Sequence, residues 1–211
     1  MSLRVIIAET EEEKRLSYRL RFDTMCQDLG WLPAQNYAAP EELDEYDITQ
    51  SMIFLAIDDF SNAIGTSRLI LPGEIPFPIE KHFVLHPMEQ IENTYGKIKY
   101  AMEVSRFIIP QNPAIKNHEI TKMLCMEMLS MLLKMGATHA FISADYRFFR
   151  LLNILGFDFA QIGEPKIYMG SKTIPGITNL KNLASRLERE KPHLYEYLMT
   201  GDKPVEEMTL I

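Results

Sequence analysis

Apolar residues along the chain recur with two different periods, and their alternation predicts a mixed α/β fold. Runs that alternate apolar and polar side chains, or that are apolar throughout, predict strands at residues 3–8, 51–57, 63–71, 97–109, 138–144, 157–162 and 166–171. Helical spacing predicts helices at residues 10–27, 118–135 and 146–155, and a mostly helical tail over about 178–211. Because helices and strands interleave along the chain, we expect one layered domain spanning residues 1–211.

Turn and capping residues define several of these boundaries. Thr10 followed by Glu13 is a capping-box pattern, which predicts the start of the first helix. The polar sequence DDFSN at residues 58–62 predicts a tight turn that joins two strands in an antiparallel hairpin. Asp145 is placed to cap the helix that follows it. Residues 30–50 show no sustained period, and loops of this length in compact domains are typically functional.

Composition and charge exclude several functional classes. Of the 211 residues, 46% are hydrophobic and 24% are charged, as in an ordinary globular domain. The chain has 22 lysines and arginines against 29 acids, and this net charge of -7 argues against nucleic-acid binding. No apolar run reaches the roughly 18 residues of a membrane span, and the N-terminus lacks a signal-peptide pattern. We therefore expect a cytoplasmic protein with no transmembrane segment.

The two cysteines, Cys26 and Cys125, lie in apolar helical segments and are expected to be buried free thiols. Neither has a convincing general base beside it in the sequence, so we do not expect a thiol nucleophile. No cysteine and histidine cluster has the spacing of a zinc site, so no bound metal is expected.

Three arginines stand in apolar segments, where a charge needs a partner. Arg21 lies in the first helix, Arg68 in the strand IGTSRLIL and Arg106 in the strand AMEVSRFII. Asp44 and Asp47, in the loop at 30–50, are candidate partners. Two alternatives remain open: a salt-bridge network that only fastens the loop to the sheet, or a set of groups that also contacts a substrate.

Glu103 is a further buried-charge candidate, on the same strand as Arg106. Strict alternation would place the two side chains on opposite faces of the strand. They could pair only if a β-bulge interrupts the strand, and bulges beside active sites re-aim side chains and free backbone N–H groups.

Two apolar features have alternative interpretations. Trp31, the only tryptophan, is either a packing anchor or part of a binding site at the start of the loop. Methionines crowd the predicted helix at 118–135, at Met123, Met126, Met128, Met131 and Met135. Methionine fills irregular gaps in a core, but the same flexibility suits a tunnel for an acyl chain.

Several segments together resemble the acyl-homoserine-lactone synthases and their relatives. The stretch YRLRFDTMCQDLGWLP is similar to that family's first helix and turn, and ELDEYD is similar to its acidic loop. IGTSRLILP resembles its central strand, and EVSRF resembles its catalytic-strand signature. The matching positions are Arg21, Trp31, Asp44, Asp47, Arg68, Phe83, Glu103 and Arg106.

The second half of the chain is similar to other members of this group. LGFDFAQIGEP resembles the family's late helix-to-strand segment. The tail from IYMGSKTIPGITNL through KPHLYEYL looks more like the N-acyl amino acid synthases and the acyltransferases associated with exosortase systems. Met25 stands where homoserine-lactone synthases commonly carry phenylalanine.

The resemblance implies an acyltransferase with a splayed, mostly antiparallel, GNAT-like sheet flanked by helices. The implied reaction moves a fatty acyl group to the amine of an amino-acid-like acceptor, without a bound cofactor. The donor would be acyl-acyl carrier protein or acyl-CoA. The segment PQNPAIKNHE before the long helix has no glycine to cradle a pyrophosphate, which favours the carrier protein.

The resemblance also implies roles for single residues. Glu103 would act as the base, directly or through a water, beside Arg106, and a backbone N–H near Phe107 would stabilise the oxyanion. The residues expected to contact substrate are Arg21, Trp31, Asp44, Asp47, Arg68, Phe83, Met102 and Phe141, the last two along the acyl chain. For Asp44 and Asp47, anchoring of the loop is an equal alternative. Arg147, Arg150, Lys166 and Lys172 would form either a docking face for acidic carrier protein or a scattered solvated surface.

Two rival functions remain open. One is a homoserine-lactone synthase that uses S-adenosylmethionine as acceptor and serves autoinducer synthesis in quorum sensing. The other is a non-catalytic, acyl-binding sensory module that has kept the fold and lost turnover.

Overall fold

The computed structural model of the chain describes residues 3–110 and 117–200, which divide into two compact units. The first comprises Met1–Leu71 and Val104–Met128, and the second comprises Pro72–Glu103 and Leu129–Ile211. The single domain over residues 1–211 stays a prediction. Residues 111–116 and the end of the predicted helical tail, 201–211, lie outside the described residues. Within the described ranges, no helix combines the length and apolarity needed to cross a bilayer.

Strands and helices interleave throughout the described residues. The strands are β1 (Arg4–Ile7), β2 (Ser51–Ile57), β3 (Ala63–Ile70), β4 (Ala101–Ile108), β5 (His139–Asp145), β6 (Ala160–Gln161), β7 (Lys166–Tyr168) and β8 (Ser171–Asn179). The helices are α1 (Glu11–Phe22), α2 (Glu45–Thr49), α3 (Pro78–His82), α4 (Met88–Tyr95), α5 (Asn117–Lys134), α6 (Tyr146–Ile154), α7 (Leu180–Glu190) and α8 (Pro192–Thr200). The prediction of a mixed α/β fold with a mostly antiparallel sheet and flanking helices is confirmed.

In the first unit the hydrogen-bonded strands lie in the order β1-β2-β3-β4. The pairings of β2 with β1 and with β3 are antiparallel, which confirms the predicted hairpin. Its turn is closed by Asp58, whose carboxylate accepts hydrogen bonds from the N–H groups of Phe60 and Asn62. Helix α1 begins with the predicted capping box of Thr10 and Glu13, and it packs against β2 and β3.

In the second unit β8 lies between β5 and β6, and β7 also pairs with β8. Strand β8 pairs antiparallel with β5, β6 and β7. Asp145 caps α6 as predicted, because its carboxylate accepts a hydrogen bond from the Arg147 N–H. Helices α6 and α7 both pack against β5 and β8. Strand β8 is therefore the main organising strand of this unit.

Strand β8 corrects the sequence prediction, which ended the last strand at residue 171 and continued into a helical tail. Pro175 lacks an N–H and Gly176 has weak strand propensity, so the sequence looks like a turn. In the structure the Pro175 carbonyl accepts a hydrogen bond from the Ile162 N–H at 3.0 Å. A Cβ on Gly176 would lie 2.6 Å from Cε2 of Phe149, so only glycine lets α6 approach β8 this closely.

Two helices and two element boundaries also differ from the prediction. The sequence pattern gave no indication of α3 or α4. The predicted strand at 157–162 is reduced to β6. The first helix ends at Phe22 and continues as a π-helical turn, Asp23–Asp28.

Candidate active site

The first unit joins six charged side chains, five of them at most 9% exposed, in one hydrogen-bonded group, here called the acid–arginine network. Its members are Arg21, Glu42, Asp44, Asp47, Arg68 and Arg106. Helix α1 supplies Arg21, β3 supplies Arg68, β4 supplies Arg106, and the acids come from the start of α2 and the residues before it. The network therefore fastens the loop at 30–50 to α1 and to strands of the first unit.

Asp47 is the acid that Arg21 and Arg68 share. Nη1 and Nη2 of Arg21 donate to its two carboxylate oxygens at 2.8 and 2.7 Å. Nη1 of Arg68 lies 2.8 Å from Oδ2 of Asp47, and all three side chains are at most 1% exposed. A bidentate contact of this kind fixes the geometry as well as the charge.

Asp44 is the partly accessible acid of the network. It is the N-cap of α2, and its carboxylate accepts hydrogen bonds from Nη1 and Nη2 of Arg68 at 2.6 and 3.0 Å. Nη2 of Arg106 also donates to it, at 3.0 Å. The Asp44 side chain is 27% exposed, whereas those of Asp47 and Glu42 are 0% and 1% exposed. A ligand that enters the network would therefore meet Asp44 first.

Glu42 is a network member that the sequence analysis did not single out. Its carboxylate contacts Nε of Arg21 at 2.5 Å and Nη2 of Arg106 at 2.8 Å. Glu42 is the first residue of the motif ELDEYD, in a run that also contains the exposed Glu45. Composition alone cannot tell which acid of such a run is buried. Only the position of Glu42 within the motif could have indicated that it is the buried one.

Electrostatics keep the network charged. Burial raises the pKa of the Glu42 carboxyl, but the charges of Arg106 and Arg21 outweigh it and lower the pKa to about 2. For Asp47, burial is again opposed by the hydrogen bonds and charge of Arg21, and the pKa lies below its usual range. The same pairing raises the pKa of Arg21 against the cost of its burial. These acids are therefore ionised near neutral pH.

Arg106 has an unusual backbone conformation in the middle of β4. Its φ is +51°, in the left-handed region that residues other than glycine rarely adopt. This irregularity lies in the strand where a bulge would be needed for Glu103 and Arg106 to pair. The neighbouring Ser105, also not singled out from the sequence, accepts a hydrogen bond from Nε of Arg68 at 3.0 Å. Phe107 follows as a half-buried residue of the same strand.

Trp31 follows the π-helical turn at the end of α1. Its N–H donates to the carbonyl of Met25 at 2.8 Å, and the N–H of Leu32 donates to the same oxygen at 3.2 Å. Such π-helical turns are frequent at functional sites. The turn thus sets the position of the half-buried Trp31 at the start of the loop.

In the second unit, Glu103 is the centre of a smaller group, the Glu103 cluster, formed with Ile79 and Ser143. The Glu103 side chain is fully buried at 0% exposure. Its Oε2 accepts a hydrogen bond from the Ile79 N–H at 2.9 Å, and its Oε1 accepts one from the Ser143 hydroxyl at 3.1 Å. Helix α3, absent from the sequence prediction, supplies one donor, and β5 supplies the other. Ser143 was not among the predicted site residues.

The predicted acyl-chain residues are buried in the second unit. Met102 is 0% exposed and Phe141 is 3% exposed. The Phe141 ring meets the Phe77 ring edge-on, with centroids 5.9 Å apart. Met102 and Glu103 are consecutive on β4, so their side chains point to opposite faces. Phe141 and Ser143 share one face of β5.

Phe83 is buried beside a small aromatic and cationic group of the second unit. Its ring lies 5.4 Å from the Tyr168 ring, centroid to centroid. Nζ of Lys166 stands 5.1 Å from the Phe83 centroid and 5.7 Å from that of Tyr168. Phe83 is therefore held in place by contacts on β7.

The four predicted docking cations are all exposed, and all lie in the second unit. Arg147 and Arg150 are on α6, Lys166 is on β7 and Lys172 is on β8. The Tyr146 ring brings two of them together: Cζ of Arg150 lies 5.8 Å from its centroid and Nζ of Lys172 lies 5.9 Å away. Arg150 and Lys172 therefore lie beside the same ring.

The described residues include two cysteines, as well as side chains of the types that can bind metal ions. Cys26 and Cys125 are buried free thiols, as predicted. Burial raises the pKa of both, to about 12 for Cys125, so neither is an activated nucleophile. Across residues 3–110 and 117–200, no three or more His, Cys, Asp and Glu side chains are arranged to hold a metal ion.

Three solved structures illustrate what the chain is similar to. BjaI, a CoA-dependent acyl-homoserine lactone synthase solved with SAM and isopentyl-CoA, is 17% identical, with a TM-score of 0.64 and 88% of each chain covered. FeeM, an N-acyl amino acid synthase from uncultured soil microbes, is 18% identical, with a TM-score of 0.64, covering 89% of this chain and 96% of its own. A Lactobacillus plantarum protein assigned as an N-acetyltransferase is 14% identical, with a TM-score of 0.58, covering 85% of this chain and 99% of its own. The predicted acetyltransferase-like fold is thereby confirmed.

Sequence comparison at the family level gives the same grouping. A comparison with curated proteins found no match. The family profile described as autoinducer synthase matches residues 7–182, which is most of the chain and includes both groups of buried acids. The chain therefore belongs to the autoinducer synthase family, and it is an acyltransferase enzyme, as its sequence predicted.

Proposed function

We propose that the chain transfers a fatty acyl group from acyl carrier protein to the amine of an amino-acid-like acceptor, without a bound cofactor. The observation that carries this proposal is Glu103, a fully buried carboxylate that accepts hydrogen bonds from the Ile79 N–H and the Ser143 hydroxyl. An amine must lose a proton before it can attack a thioester carbonyl, and a positioned carboxylate can accept that proton. The similarity to FeeM, an N-acyl amino acid synthase, supports the class of acceptor.

The proposed reaction consists of proton transfer, attack on the thioester and breakdown of the tetrahedral intermediate. Glu103 accepts a proton from the acceptor ammonium, and the amine nitrogen then attacks the thioester carbonyl. The tetrahedral oxyanion is stabilised by a backbone N–H near Phe107. When the carbon–sulfur bond breaks, the departing sulfur receives a proton, which leaves an amide and a free thiol. Since the donor is already an activated thioester, no covalent enzyme intermediate is required.

In this proposal the acid–arginine network contacts the acceptor. Its three arginines and three acids compensate one another, so an incoming carboxylate would compete with Asp44 for Arg68 and Arg106. The partial exposure of Asp44 makes it the acid that an acceptor would displace or contact. Trp31 and Phe83 would contact the substrate. The acyl chain would lie beside Phe141, which shares the Ser143 face of β5, whereas Met102 points to the face of β4 opposite Glu103 and would not line the same side.

The carrier protein would dock on the exposed face of α6 and its neighbours. The exposed positions of α6 carry two arginines, an asparagine, a tyrosine and apolar side chains but no acid. Leu151, Ile154 and Ile167 are also exposed, the last at 74%. On a chain of net charge -7, such a face suits a strongly acidic partner that also buries apolar surface. The glycine-free loop that favours this donor over acyl-CoA lies largely outside the described residues, at 111–116.

A homoserine-lactone synthase is the second candidate function. It is favoured by the similarity to BjaI, which was solved with SAM and isopentyl-CoA. In that case the acceptor would be S-adenosylmethionine, the product would cyclise to a lactone, and the protein would serve autoinducer synthesis.

Mass spectrometry of lipid extracts tests the proposal. A bacterial host that expresses the chain is compared with the same host carrying an empty plasmid. The proposal predicts a new N-acyl amino acid, whose mass gives the acceptor and the acyl length. A new acyl-homoserine lactone would establish the second candidate instead. If extracts and assays of the purified protein with acyl carrier protein, amino acids and S-adenosylmethionine all gave no product, a sensory module would replace both.

A further inference from the structure

Glu103 is shielded from solvent by the surrounding protein. Its side chain is 0% exposed, and both carboxylate oxygens are occupied as hydrogen-bond acceptors. A substrate amine is at least as large as a water molecule, so it cannot touch this carboxylate in the conformation described here. If Glu103 is the base, as the proposed function requires, its proton must arrive through a neighbouring group.

Ser143 is placed to be that group. It is half-buried on β5, on the face that also carries Phe141 and Asp145. Exposure on this face rises along the strand, because Phe141 is buried whereas Ser143 and Asp145 are partly exposed. Ser143 is thus the point on this face where a group in contact with Glu103 becomes accessible.

The two donors to Glu103 differ in what they can do with a proton. The Ile79 N–H is a backbone amide that only donates, so it can hold Oε2 but cannot pass a proton on. The Ser143 hydroxyl donates its proton to Oε1 at 3.1 Å and keeps lone pairs that accept another hydrogen bond. A substrate ammonium can occupy that second position.

We propose that Ser143 relays the proton of the acceptor amine to Glu103. An N–H proton passes to Oγ of Ser143 while the hydroxyl proton passes to Oε1 of Glu103. The step converts an ammonium and a carboxylate into an amine and a carboxylic acid, and it leaves Ser143 unchanged. Ser143 is then a catalytic residue in its own right, and this inference rests on the proposed function.

Single-turnover kinetics of three variants test the relay, using purified protein and a donor and acceptor that wild type is first shown to join. Ser143→Ala should slow acyl transfer about 100-fold, a typical contribution of positioned proton transfer, while the acceptor KM changes by less than about threefold. Ser143→Thr, which keeps the hydroxyl, should stay within about fivefold of wild type. Ser185→Ala, an exposed serine on α7, is the matched control and should match wild type.

A proton inventory, in which the wild-type rate is measured in mixtures of H₂O and D₂O, needs no variant. The relay moves two protons together, so the rate should depend on the deuterium fraction along a curve. A straight line would overturn the relay, and so would a folded Ser143→Ala protein that transfers acyl groups as fast as wild type. If wild type itself formed no product, the proposed function would fall, and the relay with it.

Discussion

The acid–arginine network and the Glu103 cluster both bury carboxylates, and the hydrogen-bond donors described for those carboxylates differ. In the network, Glu42 and Asp47 each contact two guanidinium groups, and these contacts lower the pKa of both acids. In the cluster, Glu103 accepts hydrogen bonds from an amide N–H and a hydroxyl, which are neutral donors.

Under our proposal, Glu103 is the reactive acid and the acids of the network are structural. A carboxyl with a pKa of about 2 is a poor proton acceptor near neutral pH, so Glu42 is suited to holding the loop. Glu103 lies three residues from Arg106 on β4, and its hydroxyl neighbour can also carry a proton. In that proposal the network serves stability and acceptor binding, and the cluster serves the chemistry.

The largest effect on stability is expected for Asp47→Ala. The substitution leaves the fully buried Arg21 and Arg68 without their shared acid, and breaking such a buried pair costs on the order of 3–5 kcal/mol. Urea unfolding should show a comparable loss. Asp28→Ala, at an exposed position of the same unit, is the control and should change the free energy of unfolding by less than about 0.5 kcal/mol. Equal stability of the two variants would show that the network does not hold the fold.

Glu42→Gln should change how stability depends on pH. The pKa of Glu42 in the folded chain is about 2, below its ordinary 4.5, so its contribution is fully present above about pH 4.5 and is lost as the pH falls towards 2. That contribution is on the order of 3 kcal/mol. Unfolding measured from pH 7 to pH 3 should show a weaker acid destabilisation in Glu42→Gln than in wild type.

Glu41→Gln provides the control for that series. Glu41 contacts Arg19, which is 54% exposed, and such surface pairs contribute at most about 1 kcal/mol. Its unfolding curves should follow wild type at each pH. If the stability of Glu42→Gln depended on pH in the same way as that of wild type, the charges of Arg21 and Arg106 would not be the cause of a low Glu42 pKa.

The smallest expected effect concerns the surface of the second unit. Arg150→Glu reverses a charge on the proposed docking face, so the KM for acyl carrier protein should rise about 5- to 10-fold with little change in kcat. The effect should shrink in high salt, because screening weakens contacts between exposed charges. Arg15→Glu, an exposed arginine on α1, is the control. Equal KM values for the two variants would remove α6 from the docking face.

Much of the fold could be predicted from local patterns. The β2–β3 hairpin, the capping box of α1 and the cap of α6 follow from residues close together in sequence. Strand β8 could not be predicted, because Pro175 and Gly176 read locally as a turn. Both residues fit into the strand because of contacts with residues that are distant in sequence. The Pro175 carbonyl accepts a hydrogen bond from the Ile162 N–H, and Gly176 leaves room for the Phe149 ring.

The site divides in the same way. The arginines could be found because charges in apolar strands need partners, and the resemblance placed Asp44, Asp47 and Glu103. Glu42 and Ser143 were missed, since an acid among acids and a serine in a strand carry no local signal. Their partners lie far away in the sequence. Glu42 contacts Arg106, which is 64 residues away, and Ser143 contacts Glu103, which is 40 residues away.

The most direct test of this account is the rate of N-acyl product formation by wild type and Glu103→Gln, measured on preparations whose melting temperatures are also determined. A glutamine can accept the Ile79 N–H through its carbonyl and donate to the Ser143 oxygen, so the fold should remain intact. Loss of the base should lower kcat by about 100- to 10,000-fold at an unchanged melting temperature. A folded Glu103→Gln protein with wild-type turnover would contradict the assignment of the chemistry to the Glu103 cluster.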